Sequence, residues 1–317
     1  MGGGSGGIFR STSPEEYKIK IKESLKTTQN EAFETTVSGK IDEVLLSYNN
    51  RDRETVKKHL NEIKIAVSED ISGSIDTIYG GSVKKHTYVD GLSDIDVLMR
   101  IDKSELINLS PQEILQYVKQ KIIEKKVPGV TEVSIGNLAV TVSFSDGTEI
   151  QILPAIKRGD GYKIPKSNSN EWSDVCRPDK FAEKLTEVNQ NCNNKLIPTI
   201  KLIKAINSQL PEDQQLTGYH IESIAIEVFK NYPESSEHPK TPKAMLEYFY
   251  EKSPEIIKTQ IKDKTGQSFH VDDYLGSNNS ELRFRISYAY DRIHRKIENA
   301  NEQKSVEKWE EIIGDVE

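Results

Sequence analysis

The sequence predicts an α+β chain: a small mixed β-sheet with helices before and inside it, followed by an all-helical carboxy-terminal half. Three observations carry this. Apolar residues alternate with period two in short runs between about residues 75 and 156. Helical patterns precede those runs. From about residue 179 to the end the pattern is helical throughout.

Order is expected to begin at Ser13-Pro14-Glu15-Glu16, after the Gly-rich segment of residues 1–12, which reads as a flexible tail. Ser13 can cap a helix, Pro14 suits its first turn and Glu16 can reach back to the cap. A charged helix follows through Tyr17, Ile21 and Leu25, with further helical patterns at about 42–48 and 53–69. Ile75, Thr77 and Tyr79 then alternate into Gly80, as a strand entering a tight loop does, and Ile95, Val97 and Met99 alternate with Asp94, Asp96 and Leu98. Ser110-Pro111-Gln112-Glu113 repeats the helix-start signature, for a helix to about Lys126. Leu138, Val140, Val142 and Phe144 share one strand face, Asp146-Gly147 is a hairpin turn, and 149–156 is the returning strand. Residues 157–172 form a polar crossing loop. Helices are expected at about 179–190, 195–209, 217–231, 241–252, 281–299 and 303–312, with the division between a core (13–160) and a helical lobe (161–317) near residue 160.

The composition excludes several classes. Hydrophobic residues at 35% and charged residues at 29% suit a folded, water-exposed protein, and no run approaches a membrane span, so no membrane association is expected. Cys176 and Cys192 are too few for a disulfide framework, and the six histidines are scattered, so a reducing, cytoplasmic setting is expected. The net charge of −7 argues against a protein that coats nucleic acid, and no stable nucleic-acid binding is expected.

The chemistry is concentrated between Gly80 and Asp96. Gly80-Gly81 lets the backbone approach phosphate oxygens, to which backbone N–H groups and the Ser82 hydroxyl can donate. Asp94 and Asp96, two apart on a strand, project from one face and form a hard-oxygen site suited to Mg²⁺, with Mn²⁺ as an alternative ion. Two such ions about 4 Å apart can activate a hydroxyl and stabilise a leaving pyrophosphate. Lys84, Lys85 and Thr87, between the two motifs, either touch phosphates or line a loop.

Gly81-Ser82 followed by Asp94-Ile95-Asp96 resembles the signature of the polymerase-β-like nucleotidyltransferases. Gly91-Leu92-Ser93-Asp94-Ile95-Asp96-Val97 and Ile152-Leu153-Pro154-Ala155 are similar to the bacterial relatives of cyclic GMP–AMP synthase and oligoadenylate synthase, the CD-NTases of CBASS antiphage systems. Lys308-Trp309-Glu310-Glu311 is similar to the end of such chains. The resemblance implies a bilobal fold, with the nucleotidyltransferase core beside a helical carboxy-terminal lobe and an amino-terminal helix crossing both. It implies NTP substrates, a cyclic di- or trinucleotide product, and a CBASS effector or peptide-sensing regulator as partner. Around Ile200-Lys201-Leu202-Ile203-Lys204 it implies a helix that supplies a cation to the donor triphosphate, with Lys204 the closer match and Lys201 the second candidate. In Gly218-Tyr219-His220 it implies that Tyr219 stacks on a base, a role for which a flat ring is suited, while His220 is structural.

One position departs from the family pattern. A third carboxylate is expected shortly before Pro154-Ala155, and the chain has Gln151 there. An amide offers a carbonyl oxygen but no charge. Glu149 lies on the same strand face about 7 Å away. Either Glu149 supplies the missing charge, or two carboxylates suffice, or the protein binds nucleotide without efficient catalysis. A synthase of linear oligonucleotides is the rival within the enzyme class. Asp272-Asp273 reads either as a pair near the cleft or, the preferred reading, as an Asx-type helix cap.

Overall fold

The computed structural model describes residues 14–48, 53–69, 74–79, 85–89, 95–102, 104–166, 169–233, 235, 238–263, 270–276 and 279–314. The elements in chain order are α1 (Pro14–Ser47), α2 (Arg53–Ser68), β1 (Ser74–Tyr79), β2 (Ile95–Asp102), α3 (Pro111–Glu124), β3 (Val130–Ile135), β4 (Val140–Phe144), β5 (Glu149–Arg158), β6 (Gly161–Lys163), α4 (Pro178–Asn191), α5 (Leu196–Ser208), α6 (Gly218–Phe229), α7 (Pro242–Ile257), α8 (Asn279–Gln303) and α9 (Val306–Ile313). This is the α+β arrangement expected, with the helices concentrated in the carboxy-terminal half.

The sheet runs β1-β2-β5-β4-β3, with β6 also paired to β5. β2 and β5 are parallel and every other pair is antiparallel, so the sheet is mixed. Its alternation is strict. Ile95, Val97, Met99, Ile101, Ile150 and Ile152 are buried in one core against α2 and α3. The intervening residues of the same strands, from Asp96 and Leu98 on β2 to Gln151, Leu153 and Ala155 on β5, lie on the opposite face. There Leu98, Leu153 and Ala155 join a small cluster with Tyr162, Ile164 and Cys176. Asp96 and Gln151 therefore sit at the end of that face, beyond its apolar patch.

Local chemistry explains the elements closest to the site. α3 begins with a complete capping box between Ser110 and Glu113. The β4–β5 hairpin turns at Asp146-Gly147, where Gly147 has φ 84°, and Asp146 accepts from the Thr148 N–H at 2.9 Å. Asp146 also bonds His59 Nε2 at 2.8 Å, and that bond, first among the causes, holds its carboxyl down at about 2.

Three features differ from expectation. The patterns at Pro14 and at 42–48 belong to one helix of 34 residues. The buried side chains of that helix, Phe33, Val37, Ile41 and Val44, lie in the core of the carboxy-terminal helices rather than with the sheet. β3 was not expected. It is an edge strand whose residues are only exposed or half-buried, so it carries little apolar alternation. β6 lies inside the expected crossing loop and is three residues long.

The helical core is built around α5, α6, α7 and α8, with Trp309 of α9 fully buried. Trp309 Nε1 donates to Asn301 Oδ1 at 3.0 Å, and the Lys243 ammonium stands 5.1 Å from its ring. Among the described residues no helix is long and apolar enough to cross a membrane.

Candidate active site

The expected site residues fall into two groups in space. The first lies at one end of the sheet. Asp96 and Gln151 are register partners across the parallel β2–β5 pair, and Thr141 of β4 is the partner of Gln151 on its other side. Carboxylate, amide and hydroxyl thus make one row across three central strands, each half-buried. β1, antiparallel to β2, ends at Tyr79 opposite Val97, so the chain enters the Gly80–Ser82 segment beside the end of the sheet that carries Asp96. Gly81, Ser82 and Asp94 themselves lie outside the described residues.

This register bears on the third carboxylate. Gln151, not Glu149, is the neighbour of Asp96. Glu149 stands opposite Ser143 and accepts a hydrogen bond from its hydroxyl at 2.8 Å in an exposed position. Its side chain is held toward β4, on the side away from β2. Glu149→Gln is therefore expected to change steady-state turnover by less than about threefold, under 1 kcal/mol of barrier. A loss of tenfold or more in the same assay would restore Glu149 as the missing acid.

The donors at this end suit a hard cation. A carboxylate oxygen beside an amide carbonyl matches the oxygen preference of Mg²⁺ and Mn²⁺. Among the described residues, which do not include Asp94, no group of three or more His, Cys, Asp or Glu side chains is arranged to hold a metal ion.

The second group is a buried ion cluster between the segment that follows β1 and the helical half. Glu222 of α6, 1% exposed, lies at its centre. Lys204 Nζ of α5 donates to Glu222 Oε1 at 2.8 Å, to the Thr87 carbonyl at 3.1 Å and to the Thr87 hydroxyl at 3.2 Å. Lys85 donates to Glu222 Oε2, and the Thr87 hydroxyl donates to Oε1. Burial alone would raise the Glu222 carboxyl, but the charges of Lys204 and Lys85 and their hydrogen bonds outweigh it and hold it at about 2. Two cations face one anion, so the cluster keeps one positive charge in excess.

An ammonium has three donors. All three of Lys204 are engaged by Thr87 and Glu222, so the triphosphate contact implied for Lys204 would require one of these bonds to be exchanged. Gly218 makes room for this lysine, since a Cβ there would stand 3.3 Å from Nζ and 3.4 Å from Cε. Lys201, one turn earlier on α5, is half-buried.

Tyr219 follows Gly218 at the start of α6, which Thr217 caps. Its hydroxyl donates to Asp263 at 2.8 Å. Its ring packs obliquely on Phe181, with centroids 4.8 Å apart, and the Lys85 ammonium lies 5.1 Å from the Phe181 centroid and 5.7 Å from that of Tyr219. Tyr219 and Phe181 line a cavity of about 290 Å³ with Ile226, Ile261 and Val271, and with Lys180 among its polar residues. His220 is fully buried. Burial is the main cause that pushes it down to about 4, with Asp272 opposing, so it is neutral near pH 7. Asp272 makes no side-chain cap. It is buried against Arg283, whose guanidinium donates to it, while Asp273 accepts from the His270 N–H at 2.8 Å.

Sequence reasoning did not find Glu222 or Phe181. For Glu222 a signal exists: a lone acid inside the apolar run Ile221 to Ile226, which demands a buried cation.

The mixed sheet with its acid-bearing central strands, joined to a helical half, is the fold of a polymerase-β-like nucleotidyltransferase. Residues 30–189, half of the chain and all of the described sheet, match the family described as the Second Messenger Oligonucleotide or Dinucleotide Synthetase domain. The chain belongs to this family, the CD-NTases. It is 27% identical over 195 residues to a cyclic AMP-AMP-AMP synthase of Acinetobacter sp., a match covering 60% of this chain and 54% of that protein. The chain thus spans about half the length of that relative. It is 24% identical over 220 residues to the cyclic nucleotide synthase CdnE01 of Staphylococcus haemolyticus, covering 57% of this chain and 71% of that protein. The solved structure of E. coli MS115-1 CdnC with ATP shares the fold, with a TM-score of 0.64 at 18% identity over 83% of this chain and 91% of that one.

Proposed function

We propose that this chain is a divalent-metal-dependent nucleotidyltransferase that joins NTPs into a cyclic di- or trinucleotide, a second messenger in bacterial antiphage signalling of the CBASS type. The observation that carries this reading is the register pairing of Asp96 with Gln151 inside the matched family region. In its support, Asp96 and Gln151 are neighbours at the sheet end where β1 ends at Tyr79.

In the proposed reaction a ribose hydroxyl oxygen attacks the α-phosphorus of an NTP. A new P–O bond forms, the bond to the β-phosphate bridging oxygen breaks, pyrophosphate leaves with that electron pair, and the hydroxyl proton passes to solvent. Asp94 and Asp96, with the Gln151 carbonyl, would hold the metal. When bound, a divalent ion there would neutralise triphosphate charge and favour the alkoxide form of the attacking hydroxyl. Gly81 and Ser82 would donate to the phosphates, with Lys201 as a candidate cation. Tyr219 offers a ring face for a base. The product would be read by a defence effector in the cytoplasm.

The test is incubation of the purified chain with all four NTPs and Mg²⁺ or Mn²⁺, followed by phosphatase and nuclease treatment and mass spectrometry. Cyclic products survive phosphatase, whereas linear ones lose their terminal phosphates. Linear products alone would replace this reading with a linear oligonucleotide synthase.

Gln151 favours a second reading, a nucleotide-binding regulator with weak chemistry, because the neighbour of Asp96 carries no charge. Pyrophosphate release from the wild-type chain separates the two, and Gln151→Asp reports how far the amide limits catalysis. Under the catalytic reading that variant is expected to raise pyrophosphate release by about tenfold, or 1.4 kcal/mol of barrier. No pyrophosphate release from the wild-type chain with either metal would support the regulator.

A further inference from the structure

The segment 85–89 lies between the Gly80-Ser82 loop and the strand that bears Asp96, and it is fixed from outside the sheet. Thr87 and Val89 are fully buried, and His86 has a left-handed φ of 59°. A non-glycine residue keeps that conformation where surrounding contacts over-determine it. Those contacts come from α5 and α6: Lys204 holds both the carbonyl and the hydroxyl of Thr87, and Glu222 holds the Thr87 hydroxyl and Lys85. Glu222 is the one group that touches all three.

We propose that Glu222 is a positioning residue. It is the anchor of a buried clasp that fixes the segment 85–89, on the chain path from β1 to the Asp96-bearing strand, against the helical half. Glu222 makes no contact with substrate in this role. It acts through Thr87 and the two lysines. Lys204 then belongs to the clasp, and Lys85, the more exposed of the two, is the cation that can exchange toward a bound anion. The catalytic consequence rests on the nucleotidyltransferase reading, but the clasp itself does not.

The experiment uses the full chain with Glu222→Gln, Thr87→Val and the double variant Lys204→Met/Glu222→Leu. It measures amide hydrogen exchange at 85–89, thermal melting, and kcat and KM for NTP conversion. Glu222→Gln is expected to speed exchange at 85–89 by about tenfold or more and to lower kcat by a similar factor. Thr87→Val, which removes one hydroxyl at nearly constant shape, is expected to shift both in the same direction by about threefold. It carries the test if Glu222→Gln does not fold. The double variant replaces the two most buried charges with apolar groups and leaves Lys85, the more exposed cation, which can turn its ammonium to water; it is expected to recover most of the melting temperature while exchange stays fast and kcat stays low. Unchanged exchange at 85–89 in folded Glu222→Gln and Thr87→Val would overturn the clasp. Recovery of kcat together with melting temperature in the double variant would overturn the positioning role. If the wild-type chain converts no NTP, the proposed function fails, and the exchange measurement still decides the clasp.

Discussion

Asp96→Asn is expected to lower NTP consumption by about 10³-fold, the scale on which loss of one preorganised electrostatic contact to reacting groups acts. The substitution is nearly isosteric and removes only charge. Asp96 is half-buried between Ile95 and Val97, both at most 1% exposed, so the backbone of β2 is held by its neighbours and by pairing on both sides. Melting temperature should therefore move by no more than a few degrees. Its neighbour Gln151 is neutral, so the variant leaves no carboxylate at that register position on either central strand. Adding Asp94→Asn should abolish the remainder. Pyrophosphate release measured with Mg²⁺ and Mn²⁺ checks both variants, and turnover that survives the double change would remove the metal site from these strands.

The fold was legible where burial imposed a period. β2, β4 and β5 are central strands with one face against α2 and α3, and each alternates as a half-buried strand must. The helices from Pro178 onward carry strong apolar faces, and α6, α7 and α9 have side-chain caps at Thr217, Thr241 and Ser305. β3 and β6 escaped because an edge strand and a three-residue strand bury too little to leave a pattern. The length of α1 escaped for a related reason: only from Phe33 onward does it carry an apolar stripe, and its earlier described side chains are exposed.

The site was legible in its local part and not in its long-range part. Asp96 and the Gln151 position were visible as motifs on predicted strands, but their adjacency depends on the parallel β2–β5 register, which no local pattern encodes. Glu149 looked equivalent to Gln151 because both share a face, and the register of Gln151 with Asp96 and the bond of Glu149 to Ser143 separate them. Glu222 is 135 residues from Thr87 in sequence, so the clasp exists only after the two halves meet. A motif transferred from a family gives residue types at positions. It does not reveal how many of a lysine's donors are already engaged.

Lys204 makes that distinction measurable. Lys204→Met keeps most of the side-chain volume and removes the ammonium. Glu222 would remain buried with Lys85 and the Thr87 hydroxyl as partners, while the Thr87 carbonyl would lose the bond that Lys204 supplies. Glu222 keeps a cationic partner, so no buried charge is stranded, and losing the charge-assisted hydrogen bonds of Lys204 costs about 2–3 kcal/mol, which in a 317-residue chain corresponds to a fall in melting temperature of roughly 3–5 °C. Lys201→Met, on the half-buried side of the same helix, should cost less than about 1 kcal/mol. A lysine whose main role is to bind phosphate would behave oppositely. Its removal would leave melting in the absence of nucleotide unchanged, raise KM for NTP, and weaken the stabilisation that added NTP provides. Thermal melts of both variants, with and without NTP, separate these cases, because nucleotide stabilisation measures phosphate binding while the nucleotide-free melt measures the clasp. If Lys204→Met melts like the wild-type chain without nucleotide, the three hydrogen bonds of Lys204 are not what joins the segment 85–89 to the helical half.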